Sequence, residues 1–261
     1  MKVKVVIGFA VALLFLLVYT NPFRRVAKSG ELLRSESQVS SPQNTSGDLS
    51  LNLPISLHDL ETLSKEEVYS ILRKARQGKT PESIKILTLL MENKEQWVQI
   101  EALNVLSEYG PQEALEPILN KISQTSPPLI KRGALMALGG IAEHNNSSEL
   151  QEKSAPILKR TLEELRDDPS RESRGTYFVA VETLGKVSGP LAADLIKDEL
   201  EQVQEDDVRL YSLVKQMKMP LNEDQKMSLR IILEQLQRQP AAQDKEIRSD
   251  VLRLISERLN P

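Results

Sequence analysis

The chain of 261 residues contains no cysteine, only two histidines and few aromatic side chains. Without cysteine it forms no disulfide, no thiolate nucleophile and no zinc site that depends on cysteine ligands. Aromatic residues make up 4% of the chain, and four of them, Phe9, Phe15, Tyr19 and Phe23, lie in the first 23 residues. The core of the remainder is therefore expected to be aliphatic, with helices packed on helices.

The net charge, and the residue types that could support catalysis or metal binding, exclude further classes of function. Residues 61–261 carry 28 Lys and Arg against 33 Asp and Glu, and a net-acidic region is a poor match for phosphates, so we expect no nucleic-acid partner. His58 and His144 are too isolated to share a metal, and no phosphate loop or nucleophile elbow occurs. The acidic residues between positions 194 and 207 are interpreted as a solvated helix face. We expect no metal, no cofactor and no catalytic residue, so the chain is not expected to be an enzyme.

The N-terminus has the pattern of a membrane anchor. Lys2 and Lys4 precede residues 5–20, a run of 16 residues without a charge, which as a helix is about 24 Å long. A cleaved signal peptide is the alternative, but the small residues at positions 27 and 29 follow a proline and two arginines, which suits cleavage poorly. We predict that residues 1–20 are a single-pass transmembrane signal anchor and that the C-terminal domain is extracytoplasmic, in the periplasm.

The next segment, residues 21–60, is rich in serine and poor in apolar side chains. Such a composition cannot bury enough surface to order itself, so a flexible tether with a reach of roughly 35 Å is predicted. Residues 51–57 alternate apolar and polar, as an extended strand does. We interpret them as a strap over the first helix of the domain, and a docking motif for another protein is the alternative.

From residue 61 onward the pattern is helical, with recognisable starts. Ser64 and Glu67 have the spacing of a capping box, and Thr80 precedes Pro81 as a helix start does. Residues 61–261 are therefore predicted to be one all-α domain.

Three segments of this domain, residues 98–110, 130–142 and 176–188, align with one another without gaps. Ala102, Ala134 and Ala180 coincide, and a second helix follows each segment. Pro117 and Pro156 also correspond and are expected in the first turns of their helices. Two helices alternating with a period of about 30–45 residues are typical of an α-solenoid of antiparallel helix pairs. A compact bundle is the alternative, which the triple alignment disfavours.

Glycine is unusually frequent in one of these segments. Gly133, Gly139 and Gly140 lie within a single helical stretch, although each interior glycine costs about 1 kcal/mol relative to alanine. In a solenoid such a stripe of small residues lets successive helices approach closely. The last two glycines are also expected near the end of their helix, where a turn begins.

The alanine, leucine and glycine pattern of residues 134–141, together with "EALEPIL" at residues 113–119 of the preceding unit, resembles HEAT repeats. The resemblance is greatest to the short bacterial kind shared with phycobilisome-lyase-like proteins, and it covers about residues 80–238. In the fourth unit Ser212 aligns with the alanine and Gln216 with a leucine, which predicts weaker packing there. Deoxyhypusine-hydroxylase-like relatives of such arrays bind iron through His-Glu pairs, which this chain lacks.

The resemblance implies a function and a binding face. We predict a membrane-tethered scaffold or adaptor that binds a protein partner through its solenoid surface; a ligand-handling or lyase-like enzyme subunit is the alternative. The family implies that second helices line the concave, partner-binding side, where equivalent positions stack into columns. One column is predicted to contain Asn120, Lys159 and Lys197, and the next Lys121, Arg160 and Asp198. We expect this basic strip to meet an acidic or polar segment of the partner.

Overall fold

The computed structural model describes residue 60 and residues 62–124, 126–145, 147–168, 170–203, 206–217, 221–238 and 245–260. These residues belong to one compact unit, Leu51–Pro261. The predicted anchor, the strap at residues 51–57 and all of the predicted tether except Leu60 lie outside the described residues. Within the described ranges every regular element is helical and none is a strand. None of these helices is both long enough and apolar enough to span a membrane.

The helices alternate between two sets. The first helices are α1 (Lys65–Gly78), α3 (Gln96–Tyr109), α5 (Pro128–His144), α7 (Arg171–Val187), α9 (Asp207–Gln216) and α11 (Lys245–Leu259). The second helices are α2 (Pro81–Leu90), α4 (Leu115–Ser123), α6 (Ser148–Asp167), α8 (Pro190–Gln202) and α10 (Glu223–Arg238), with a short 3₁₀ turn at Gln112–Ala114 before α4.

Contacts between these helices form two layers. Each first helix packs against the next first helix, from α1 through to α11, and α4, α6, α8 and α10 do the same in their own layer. Each second helix also packs on the first helix that follows it. This repeated two-layer arrangement is an α-solenoid, as the sequence predicts. We refer to the two sets as the first-helix layer and the second-helix layer.

The predicted helix starts are confirmed. The backbone N–H of Glu67 donates to the Ser64 hydroxyl at 3.3 Å, and the backbone N–H of Ser64 donates to the Glu67 carboxylate at 2.8 Å. Thr80 caps α2 by accepting from the N–H of Ser83 at 3.2 Å, with Pro81 at the first helical position. These side chains satisfy backbone donors that have no partner inside the helix.

Two expectations about helix ends are corrected. Pro117 lies in the first turn of α4, but Pro156 is the ninth residue of α6, because Ser147 starts that helix earlier by capping the N–H of Leu150. Gly139 and Gly140 do not mark a helix end either, since α5 runs on to His144. Their role is therefore in packing rather than in chain reversal.

That packing is visible between α3 and α5. A Cβ added to Gly140 would stand 2.1 Å from the Ser107 carbonyl oxygen, so only glycine lets the two backbones approach this closely. The Ser107 hydroxyl donates to the Met136 carbonyl at 3.2 Å. Between α5 and α7, the buried hydroxyl of Thr183 donates to the Leu135 carbonyl at 2.9 Å. The predicted small-residue stripe thus joins successive first helices.

The fourth unit differs from the prediction. In α9 Leu213 is fully buried, and Met217, which follows the helix, is buried as well, whereas Ser212 and Gln216 remain partly exposed. The repeat register is therefore one residue later than the sequence alignment placed it, and the unit keeps a complete set of core positions. The expected weakness of its packing is wrong for that reason.

Candidate functional site

The residues of the predicted basic strip differ in their exposure. Asn120, Lys159 and Arg160 are exposed, as is Asp198, and Lys197 is half-buried. Lys121 departs from the expectation: it is buried, and its ammonium lies 3.0 Å from the carboxylate of Glu92. Lys121 therefore joins α4 to the end of α2 and presents no cation to a partner.

Arg160 is also partly neutralised. Its guanidinium pairs with Glu164 at 2.9 Å, and the same carboxylate binds Lys131 of α5 at 3.2 Å. Burial tends to raise the pKa of Glu164, but the two cations prevail and hold that pKa below its ordinary value. Of the predicted strip, Lys159 and Lys197 are the cations that form no ion pair with any described residue.

Lys159 lies in a groove between α6 and α8. Two adjoining cavities of about 360 and 370 Å³ share Lys159 and Leu195. One end is mainly apolar, and the other is lined by charged side chains. We call this feature the α6–α8 groove; its apolar end contains Ala155, Pro156, Leu191 and Leu195, and its charged end contains Glu163, Arg166, Asp198, Glu199 and Glu201.

Glu199 at the charged end belongs to a buried network. Its carboxylate accepts from Arg166 at 2.9 Å and from the Tyr177 hydroxyl at 3.0 Å. Burial raises the pKa of Glu199, although Arg166 and Tyr177 favour the ionised form. Arg209 stacks on the Tyr177 ring, 4.8 Å from its centroid. The interpretation of the acidic residues as a solvated face is therefore wrong at Glu199, which is buried and pairs with the partly buried Arg166 of α6.

The other carboxylates of the groove have no such partner. Within the part of the chain that the structure describes, no ion pair joins a cation to any of the carboxylates that line the groove apart from Glu199; these are Glu152, Glu163, Asp194, Asp198 and Glu201. The groove is therefore acidic overall, although a predicted member of the basic strip lies in it.

The first-helix layer has a different surface. All six aromatic residues in the described ranges lie on first helices, and the second helices described here carry none. Tyr177 is buried, and the Tyr109 hydroxyl donates to the Ala75 carbonyl. The other four remain partly exposed, together with Leu129 of α5. We call these five residues the aromatic row: Tyr69, Trp97, Leu129, Phe178 and Tyr211.

The aromatic row follows the order of the helices from α1 to α9. Tyr69 is 50% and Leu129 54% exposed. The rings of Tyr69 and Trp97 stack across α1 and α3 with centroids 4.9 Å apart, and the Lys65 ammonium lies 5.4 Å from the Trp97 centroid. Helical periodicity in the sequence identifies the buried positions of each helix. The aromatic row could not be predicted in this way, because its residues lie outside those buried positions.

The described ranges contain no group of three or more His, Asp and Glu side chains that could hold a metal ion. His144 Nδ1 lies 2.8 Å from the Gly140 carbonyl oxygen, near the end of α5. His58 lies outside the described residues.

Comparisons with known proteins return no matching family model and no matching curated protein. A designed armadillo repeat protein in complex with peptide (KR)4 has 20% identity and a TM-score of 0.47, covering 78% of this chain and 98% of that one. An archaeal HEAT-like repeats protein from Thermococcus onnurineus NA1 has 17% identity and a TM-score of 0.35, covering 80% and 100%. Human deoxyhypusine hydroxylase in complex with glycerol has 13% identity and a TM-score of 0.30, covering 76% and 92%.

These values describe distant similarity. The assignment of an α-solenoid rests on the contacts between helices within this chain. The phycobilisome-lyase-like subtype of HEAT repeat stays a prediction from sequence.

Proposed function

We propose that the chain is a membrane-tethered scaffold that binds another protein through the aromatic row. The observation that carries this proposal is the placement of aromatic side chains. Five of the six aromatics described are partly exposed on one layer, and the second helices described carry none. Tyr69 is half exposed, and Trp97, Phe178 and Tyr211 pack against the core with part of each side chain in solvent.

The physical reason is the high value of aromatic side chains at interfaces. Tyr and Trp are enriched among the residues that dominate binding energy, because they bury a large area with little loss of rotamer freedom. A single exposed apolar residue needs no explanation. Tyr69 and Trp97 stack on each other across two neighbouring first helices, and a larger apolar surface of this kind is typical of an interaction site.

The membrane tether is the second part of the proposal, and its support is the sequence. Residues 1–20 act as a single-pass anchor and residues 21–60 as the tether, with the solenoid outside the cytoplasm. A tether of this length keeps the binding surface near the membrane and raises its effective concentration toward partners there. The proposed scaffold has no catalytic role.

The binding claim is tested by comparing two pairs of exposed apolar residues. Tyr69→Ala with Leu129→Ala removes part of the aromatic row. Met227→Ala with Ile231→Ala, on α10, is the matched control because those side chains are 55% and 50% exposed. Proteins cross-linked to the full chain in native membranes are quantified by mass spectrometry.

We expect the aromatic-row variant to lose one specific partner at least tenfold while the α10 variant retains it, since truncating a central interface residue commonly costs above about 1 kcal/mol. Equal recovery with both variants would exclude the aromatic row as the binding surface.

The tether is tested separately. The full chain should stay in the membrane fraction through a high-salt wash, because apolar burial rather than charge holds it. A soluble mature form that begins near Gly30 would show a cleaved signal peptide instead.

A further inference from the structure

We infer that the α6–α8 groove is a second docking site, which takes a short cationic segment of a protein partner with one apolar residue beside its cations. This inference rests on the proposed function only in that the occupant is a protein. The groove lies in the second-helix layer and the aromatic row in the first-helix layer. The docking site in the groove and the binding role of the aromatic row can therefore be disproved separately.

The apolar end of the groove supplies the anchor position. Leu191 is 42% exposed, and Ala155 and Leu195 line the same cavity. Pro156 lines it as well and has no N–H, so the carbonyl of Glu152 receives no helix hydrogen bond from that position. An apolar side chain placed here gains burial.

The charged end of the groove determines the sign of the charge that the occupant carries. Arg166 and Glu199 neutralise each other at 2.9 Å. At this end the remaining lining charges are the carboxylates of Glu163, Asp198 and Glu201 and the single ammonium of Lys159, while Glu152 and Asp194 line the apolar end. Of the cations nearby, Arg160 is held by Glu164, and Lys197 does not line the groove. Facing carboxylates in a cleft concentrate cations, which makes a Lys- or Arg-containing segment the complementary ligand.

The length of the groove limits the length of the segment. Its lining runs along α6 from Glu152 to Arg166, which at 1.5 Å per residue is about 21 Å. An extended segment of about six residues spans this distance. The occupant is therefore a short extended stretch, with its apolar residue near Leu191 and its cations near Glu163 and Glu201.

The acidic groove and the basic strip predict opposite effects of the substitution Lys159→Glu on binding. In the basic strip Lys159 attracts an acidic partner, so Lys159→Glu weakens binding. In an acidic groove Lys159 is the one opposing charge, so Lys159→Glu strengthens the binding of a cationic segment. One substitution thus separates the two hypotheses.

The test uses the full chain in an uncharged detergent with labelled six-residue peptides. One peptide has a leucine followed by lysines and arginines, and its counterpart has glutamates in place of the cations. We expect the cationic peptide to bind, more weakly as salt rises, and the acidic peptide not to bind. Fluorescence anisotropy measures both.

Charge reversal in the groove should weaken the cationic peptide. Glu163→Lys, Asp198→Lys and Glu201→Lys together are expected to cost about tenfold in Kd, since each exposed pair contributes a fraction of a kcal/mol. Leu191→Ser should weaken this peptide but leave a peptide without leucine unchanged. These positions are exposed, and far-UV circular dichroism with a thermal melt checks that each variant folds.

The matched control reverses three exposed glutamates elsewhere. Glu82→Lys, Glu95→Lys and Glu113→Lys together change the net charge equally, and binding should stay as in the parent chain. An equal loss in both triple variants, no binding of the cationic peptide, or binding of the acidic peptide that Lys159→Glu abolishes would each overturn the inference. None of these outcomes affects the aromatic-row test.

Discussion

The two helix layers of this solenoid use their side chains in opposite ways. In the first-helix layer, glycines and hydroxyl side chains bring α3, α5 and α7 together, and most of the aromatic side chains are partly exposed. In the second-helix layer, α6 and α8 leave a groove between them that charged side chains line. The difference shows how one repeat can offer two chemically distinct surfaces, one apolar and one acidic.

Two ion pairs, one in each layer, differ in how far their side chains are removed from water. Arg248 of α11 binds Asp207 of α9 at 2.6 Å, and both side chains are buried in the first-helix layer. Arg160 and Glu164 of α6 pair at 2.9 Å with both side chains largely in solvent. Only the first pair is removed from water, so only its loss leaves a charge without solvation.

The largest expected effect is therefore the loss of the buried pair. Arg248→Ala leaves Asp207 buried and unpaired and should lower the free energy of unfolding by about 3–5 kcal/mol. Arg160→Ala should change it by less than about 0.5 kcal/mol. Denaturant unfolding of the full chain measures both, and similar losses for the two variants would contradict the proposed difference between the buried and the exposed pair.

The next largest effect on stability is expected where two first helices approach each other closely. Gly140→Ala places a Cβ 2.1 Å from the Ser107 carbonyl oxygen, so α3 and α5 must separate at a cost of about 1–3 kcal/mol. Gly133→Ala in the same helix is the control, because its new Cβ meets only the flexible Leu103 side chain at 3.2 Å. That control should be neutral or stabilising through helix propensity. Equal destabilisation would mean that glycine here serves no close contact.

Much of this layer is predictable from sequence, and the reasons are local. The capping box at Ser64, the start at Pro81 and the alanine stripe each follow from the chemistry of nearby residues. The register of α9 does not, because Leu213 and Val214 fit the repeat almost as well one residue earlier. Only the burial of Met217 shows which register the helix adopts.

The surface is less predictable, because exposure depends on neighbouring helices. Sequence spacing placed Lys121 beside Arg160 on one face, but Glu92 at the end of α2 draws Lys121 into the interior. Glu199 is buried for a similar reason, since Arg166 reaches it from α6. In each case a partner distant in sequence determines where the side chain lies.

A smaller effect should distinguish hydrogen bonds between helices from those within one helix. Thr183→Val removes the bond from its hydroxyl to the Leu135 carbonyl of α5 and should cost about 1 kcal/mol. Thr161→Val is the control in the second-helix layer, because its buried hydroxyl bonds the Ile157 carbonyl of its own helix. That bond lies within one helix and joins no second helix, so its loss should cost less. The prediction fails if Thr161→Val costs as much in denaturant unfolding.

The smallest effect concerns pH. Burial raises the pKa of Glu199 above its value in the unfolded chain, so the folded protein holds this proton more tightly. The contribution of Glu199 to stability is therefore greatest below the unfolded pKa of about 4.5 and declines as pH rises through the folded pKa. Relative to Glu199→Gln, the parent chain should lose stability over that window. A relative gain with rising pH would show that Arg166 outweighs burial.

Site-specific photo-cross-linking tests the central claim most directly, because it captures whichever protein contacts the chosen position. A benzophenone amino acid replaces Tyr69 in the full chain in native membranes, and a second variant carries it at Met227, which is similarly exposed. The account predicts a protein adduct of one defined mass at Tyr69 and none at Met227. Adducts at Met227 with none at Tyr69 would contradict the assignment of the partner surface to the first-helix layer.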